Sequence, residues 1–112
     1  MATNKYLCLY RGAPAQQTPS PAQMQEMLVA FNKWKEQFKG AILEMGSQLK
    51  SSGRVVTTSG VTDGPFAEGK EIIAGYMIVG ADDYEGAVAV MKAMPMLRRP
   101  DARIEIREIA SV

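Results

Sequence analysis

Asp63-Gly64-Pro65-Phe66, with Glu68, Lys70 and Glu71 just behind it, is where this chain concentrates groups able to move a proton or hold a charge. Asp-Gly tolerates unusual backbone dihedrals, Pro65 sets its own φ and restricts Gly64, and Phe66 can anchor the turn in apolar surroundings. A rigid turn of this kind holds Asp63 still, as a ligand site requires. In a catalytic role Asp63 or Glu68 would handle protons, Lys70 or Arg11 would hold negative charge, and Tyr10 would line the pocket. The plainer account is an Asx turn at Asp63 with solvated charges around it, because Asp-Gly and Gly-Pro mark turns in many proteins. Residue types alone leave both accounts open.

Other chemistries are excluded by what the chain lacks. It has no histidine, and so no usual general base near neutral pH, no Ser-His-Asp or Cys-His triad and no proximal haem ligand of the usual kind. A zinc site would have to rest on carboxylates and Cys8, which is a poor donor set. No metal and no cofactor is expected. The 13 basic against 12 acidic residues leave a net charge of +1, which offers no surplus to hold a polyanion, so nucleic acid is not expected as a partner. Apolar runs such as Tyr6 to Tyr10 and Ile72 to Val79 are far shorter than the roughly 20 residues of a membrane-spanning helix. The start does not resemble a signal peptide, and a single cysteine allows no intrachain disulfide, so a cytoplasmic setting is expected. Cys8, inside an apolar segment, reads as an inert core thiol. Met94, Met96 and Leu97 are placed to rim a pocket. The pair Arg98 and Arg99 could grip an anion, although paired loop arginines usually face solvent.

The elements that must position these groups can be read from periodicity. Lys5 to Tyr10 is β-prone and stops at Arg11-Gly12, and Ala13 to Pro19 reads as a loop. Ser20-Pro21-Ala22-Gln23 is a helix start in which Ser20 caps free amides, Pro21 suits the first turn and Gln23 completes a capping box. Met24, Met27, Leu28, Phe31, Trp34 and Phe38 follow as an apolar stripe, and Gly40 is a natural terminator. Ile42-Leu43 suggests a short strand with a bulge or turn at Gly46. Strands are also expected at Arg54 to Thr58, from Val61 into the turn, and most strongly at Glu71 to Val79. Asp82 or Asp83 caps a second helix whose stripe is Tyr84, Ala87, Val88 and Met91, and Arg103 to Arg107 alternates charge with isoleucine. This order fits one α+β domain spanning residues 1–112, a ferredoxin-like antiparallel sheet with two helices on one face.

That architecture leaves one face uncovered. Ile72, Ala74, Tyr76 and Ile78 point one way, Ile73, Gly75, Met77 and Val79 the other, and neither set is polar. The first segment repeats this with Leu7 and Leu9 against Tyr6, Cys8 and Tyr10. Two helices hide only one side, and the remaining apolar area exceeds what monomers usually leave wet. A homodimer through the open sheet face is the expected cover, the alternative being a fold-over of Ala41 to Gly53.

Val61 to Glu68, with Lys70-Glu71 and Gly75-Tyr76 behind, resembles the signature of the DGPF, or YCII-related, domain family. Lys5 to Tyr10 is similar to that family's opening strand, and Ser20-Pro21 with Met24 to its first helix start. Asp82 to Glu85 with Ala87 resembles the start of its second helix, and Ile104 to Arg107 its last strand. The resemblance implies a ferredoxin-like protomer in a dimeric α+β barrel. It implies no settled activity. Relatives are proposed as small-molecule enzymes, and some are encoded with or fused to sigma-factor-like regulators, so the expected function divides in two. One branch is binding of a small polar or anionic molecule near the Asp63 turn, with Asp63, Phe66, Glu68, Lys70, Tyr10 and Arg11 as ligand-binding residues. The other is a non-catalytic regulatory or interaction module. More distant relatives place a His-Asp pair in the cleft, which this chain cannot supply. Gly69, Ala74 and Glu108 stand where the family often has Thr, Gly and Pro.

Overall fold

A computed structural model describes residues 4–11, 20–50, 52–63, 73–98 and 102–110. The first strand, β1 (Asn4–Arg11), leads to helix α1 (Pro21–Gln37) and then to β2 (Ile42–Gln48), β3 (Arg54–Thr57) and β4 (Gly60–Asp63). After these come β5 (Ile73–Ala81), helix α2 (Tyr84–Lys92), a 3-10 turn (Pro95–Arg98) and β6 (Arg103–Glu108). The main sheet is antiparallel with the order β2-β5-β1-β6, and β3 and β4 form a separate two-stranded sheet. Counting only the four main strands, this is the 4-1-3-2 order of a ferredoxin-like fold.

The helix starts follow local chemistry. Ser20 Oγ accepts from the Gln23 N–H at 3.1 Å while Gln23 Oε1 accepts from the Ser20 N–H at 2.9 Å, so two amides that the helix cannot bond are satisfied reciprocally. The helix ends at Gln37, three residues before Gly40, which lies in the turn that follows. For α2 the cap is Asp83, whose carboxylate accepts from the Gly86 N–H at 2.9 Å. Its buried stripe is Ala87, Val90 and Met91, whereas Tyr84 and Val88 are exposed. The expected stripe is thus rotated. Tyr84 instead meets the Tyr6 ring edge-on with centroids 4.9 Å apart, and its hydroxyl accepts from the Glu108 N–H.

Strand alternation assigns the core. Tyr6, Cys8 and Tyr10 of β1, with Met77 and Val79 of β5, all face the helix layer and are buried. Against them pack Trp34 of α1, Ala87, Val90 and Met91 of α2, and Met94, with Ile42, Ile104 and Ile106 at the margins. Each such large side chain stabilises the fold by about 1.5–3 kcal/mol through burial. Trp34 Nε1 donates to the Val90 carbonyl at 2.9 Å and joins the two helices.

The front of α1 departs from expectation. Met24, Met27 and Leu28 are 58%, 38% and 54% exposed, so only the rear of the predicted stripe reaches the core. No layer lies beneath these first turns among the described residues.

The fold-over of residues 41–53 does not occur, since Ile42–Gln48 hydrogen-bonds into the sheet as its edge strand. The bulge there is real. Gly46 takes φ +67° where the register slips between Glu44 and Ser47. Extents of 45 × 44 × 19 Å describe a flat slab, and both described helices pack on the same side of the sheet.

Candidate functional site

Burial decides what each predicted group can do. Tyr10 points into the helix layer, is 8% exposed and donates its hydroxyl to Met77 Sδ at 3.8 Å. Burial, with Cys8 as a lesser cause, pushes its phenol far above the ordinary range, so it stays protonated and is a packing residue. Gly75 makes room for that ring. A Cβ there would lie 2.8 Å from Tyr10 Cδ2 and 3.0 Å from the Ser47 carbonyl oxygen. The β1–β6 register runs unbroken through Tyr10 and Arg11, and Arg11 reaches Glu105 opposite Leu9, so Arg11 falls on the other side of the sheet from Tyr10 and the two do not share a pocket.

Arg11 belongs to a charged row on the open face. Its Nη1 lies 2.9 Å from Glu105 Oε1, and Arg107 Nη1 lies 3.8 Å from Glu105 Oε2. The register sets Leu7 beside Arg107, Leu9 beside Glu105 and Arg11 beside Arg103. On the other flank Leu7 pairs with Ile78 and Leu9 with Tyr76. The open face is therefore apolar across the middle of β1 and β5 and charged along β6, where Arg103, Glu105 and Arg107 follow one another with Arg11 beside them. The wet side of β6 was legible in the Arg-Ile-Glu-Ile-Arg alternation. That it shares a face with Leu7 and Leu9 follows only from the pairing register.

Several strand ends meet at one end of the sheet. Arg11 finishes β1, Gln48 finishes β2, Ile73 opens β5 and Arg103 opens β6. The backbone of Asp63 closes β4. Phe66, Glu68, Lys70 and Glu71 lie outside the described residues, as do Gly69, Arg99 and the Ala13 to Pro19 segment. Beside this end is an apolar groove of about 750 Å³ lined by Met24, Met27, Leu28, Phe31, Met94 and Met96, with Gln48 at its rim. Met94 and Met96 thus do border a cavity.

Cys8 is fully buried, and burial pushes its thiol up to about 11. At pH 8 only about one molecule in a thousand carries the thiolate. Iodoacetamide should leave the folded protein unmodified and label Cys8 promptly in urea. The sign of the pH effect follows from the same shift. The raised folded value favours the neutral thiol, so stability is constant below the unfolded value of about 8.5 and declines as pH rises from there toward 11. Urea titrations at pH 7, 9 and 10.5 should show a steady loss, shallower in Cys8→Ala.

Among the described residues there is no group of three histidine, cysteine or carboxylate side chains that could hold a metal ion. Nor is any helix there long and apolar enough to cross a membrane. Residues 4–111 match the YCII-related domain family, and no curated protein matches the chain. The chain belongs to the YCII-related domain family.

Proposed function

We propose that this member of the YCII-related family is a cytoplasmic homodimer closed through the open sheet face. In this reading it binds a small polar or anionic molecule in a cleft at the end of that sheet, near the Asp63 turn. The observation that carries the assembly is the half-buried row Leu7, Leu9, Tyr76 and Ile78 on a face with no second layer among the described residues. A second copy of the same face is the simplest cover of matching size and polarity.

Arginines support the class of ligand. Arg11 and Arg107 flank one carboxylate, and guanidinium forks suit the planar oxygens of a carboxylate or phosphate. In a catalytic version Asp63 or Glu68 takes the proton while Lys70 or Arg11 holds developing negative charge. The exposed methionine groove favours a second reading, an interaction module that meets a partner protein such as a sigma-factor-like regulator.

Sedimentation tests the assembly. Wild type should sediment at twice 12.2 kDa, and Leu9→Glu, which places a charge at the centre of the open face, should sediment as a single subunit. A wild type that stays single at 100 μM rejects the assembly. For the ligand, thermal shift with phosphate, citrate and a set of small carboxylates should raise the melting temperature of wild type more than that of Asp63→Ala or Arg11→Ala. Equal shifts in all three proteins reject the cleft.

A further inference from the structure

We propose that the β3–β4 hairpin is an exchanged arm that lies on the second copy of this chain and sets Asp63 beside the partner's Arg11–Glu105–Arg107 row, making the cleft composite. The inference rests on the face-to-face dimer above.

Among the described elements the hairpin packs closely on no other strand or helix of its own protomer. Its two strands pair with each other and with no other described strand, and their described side chains are exposed throughout. The register puts Val56 directly opposite Val61, and these are 75% and 62% exposed. An isolated two-stranded hairpin is at best marginally stable in water, so a valine-faced one needs a surface. The radius of gyration, 15.7 Å against about 13 Å for a compacted domain of this length, agrees with a projecting arm.

Area and charge together name the occupant. Four strands about 4.8 Å apart, over the six residues of β6 at about 3.3 Å each, offer a footprint of about 400 Å². A stable complex usually takes about 800 Å² of accessible surface from each side, and an arm laid on the partner adds to what the sheet face supplies. Two copies can face each other about a two-fold axis along the strands or across them. The crosswise axis stacks β6 on β6 and sets arginine against arginine. With the lengthwise axis β6 lies over β2, and Arg107, level with Leu7 and Ile78, meets Glu44, which pairs with Ile78. Charge complementarity selects the lengthwise arrangement.

That arrangement fixes where the arm goes. The hairpin leaves the sheet after Gln48 of β2 and returns at Ile73 of β5, at the end where Arg11 and Arg103 also lie. A lengthwise axis keeps like ends together and brings this β2 edge against the partner's β6 edge. The arm then runs along the partner's arginine row, with its Val56–Val61 face turned inward and acidic Asp63 at its foot.

Three measurements test this. Val56→Asp/Val61→Asp should raise the dimer dissociation constant at least about tenfold, as loss of a central apolar contact does, with the far-UV spectrum unchanged. Glu44→Arg should weaken the dimer, and Glu44→Arg/Arg107→Glu should restore it. In unmodified protein, amides of residues 55–62 should exchange slowly in the dimer and fast on dilution below the dissociation constant. A dimer whose affinity ignores the valine changes, with exchange in 55–62 independent of concentration, overturns the arm and leaves the face-to-face reading standing. A wild type that never dimerises removes both.

Discussion

Replacing Trp34 by alanine is expected to cost about 3–5 kcal/mol, a fifth or more of the about 5–15 kcal/mol that holds a small domain together. Trp34 is the sole buried residue of α1, at 3% exposure, and it lies between Phe31 and Phe38 with ring centroids at 5.6 and 6.2 Å. Its indole N–H also donates to Val90, so removal leaves a cavity and an unsatisfied carbonyl between the helices. No other side chain of α1 can take over. Urea unfolding followed by far-UV circular dichroism should show a midpoint far below wild type. Trp34→Phe, which keeps most of the volume and loses the hydrogen bond, should fall between the two. A midpoint for Trp34→Ala within about 1 kcal/mol of wild type would mean that α1 is not held by this anchor.

Gly46→Ala should rank next, at about 2–5 kcal/mol, from the left-handed backbone and the overlap together. Gly46 has φ +67°, and a Cβ there would sit 1.9 Å from the Tyr76 carbonyl oxygen. The clash is with the backbone of β5, which cannot turn aside as a flexible side chain would. The expected outcome is a detached β2 edge, visible as fast amide exchange over residues 42–48 and a lowered urea midpoint. Gly40→Ala is the control, because a Cβ at Gly40 meets nothing within 4 Å. Equal midpoints for the two variants would show that the bulge relaxes at little cost.

Those two glycines illustrate how far local sequence reaches. Gly46 reads as an interruption in an apolar segment, and that is what it is. Which residue punishes a side chain there depends on β5, thirty positions away. The start of α1 was fully legible and that of α2 to within one residue, Asp82 or Asp83, because Ser20 and Asp83 accept from amides three residues along and need no tertiary partner. The apolar stripe of α1 was legible as a stripe. How much of it would be covered was not, since Met24 and Leu28 differ from Trp34 only in what lies opposite. Tyr10 and Arg11 read as neighbours at one strand end, yet pleating sends them to opposite sides. The charged row on β6 became part of the open face only once Leu9 was seen beside Glu105.

From its residues alone, this chain determined the strand and helix order, the caps, the two-sided oiliness of β1 and β5, and the exclusion of histidine chemistry. These follow from dihedral preference, hydrogen-bond satisfaction and alternation, which act within a few residues. Tertiary structure alone decided which face the helices cover, which charges flank the bare one, and that β3 and β4 leave the main sheet. Such outcomes depend on pairing register between distant segments, where a shift of one residue exchanges the faces of a strand.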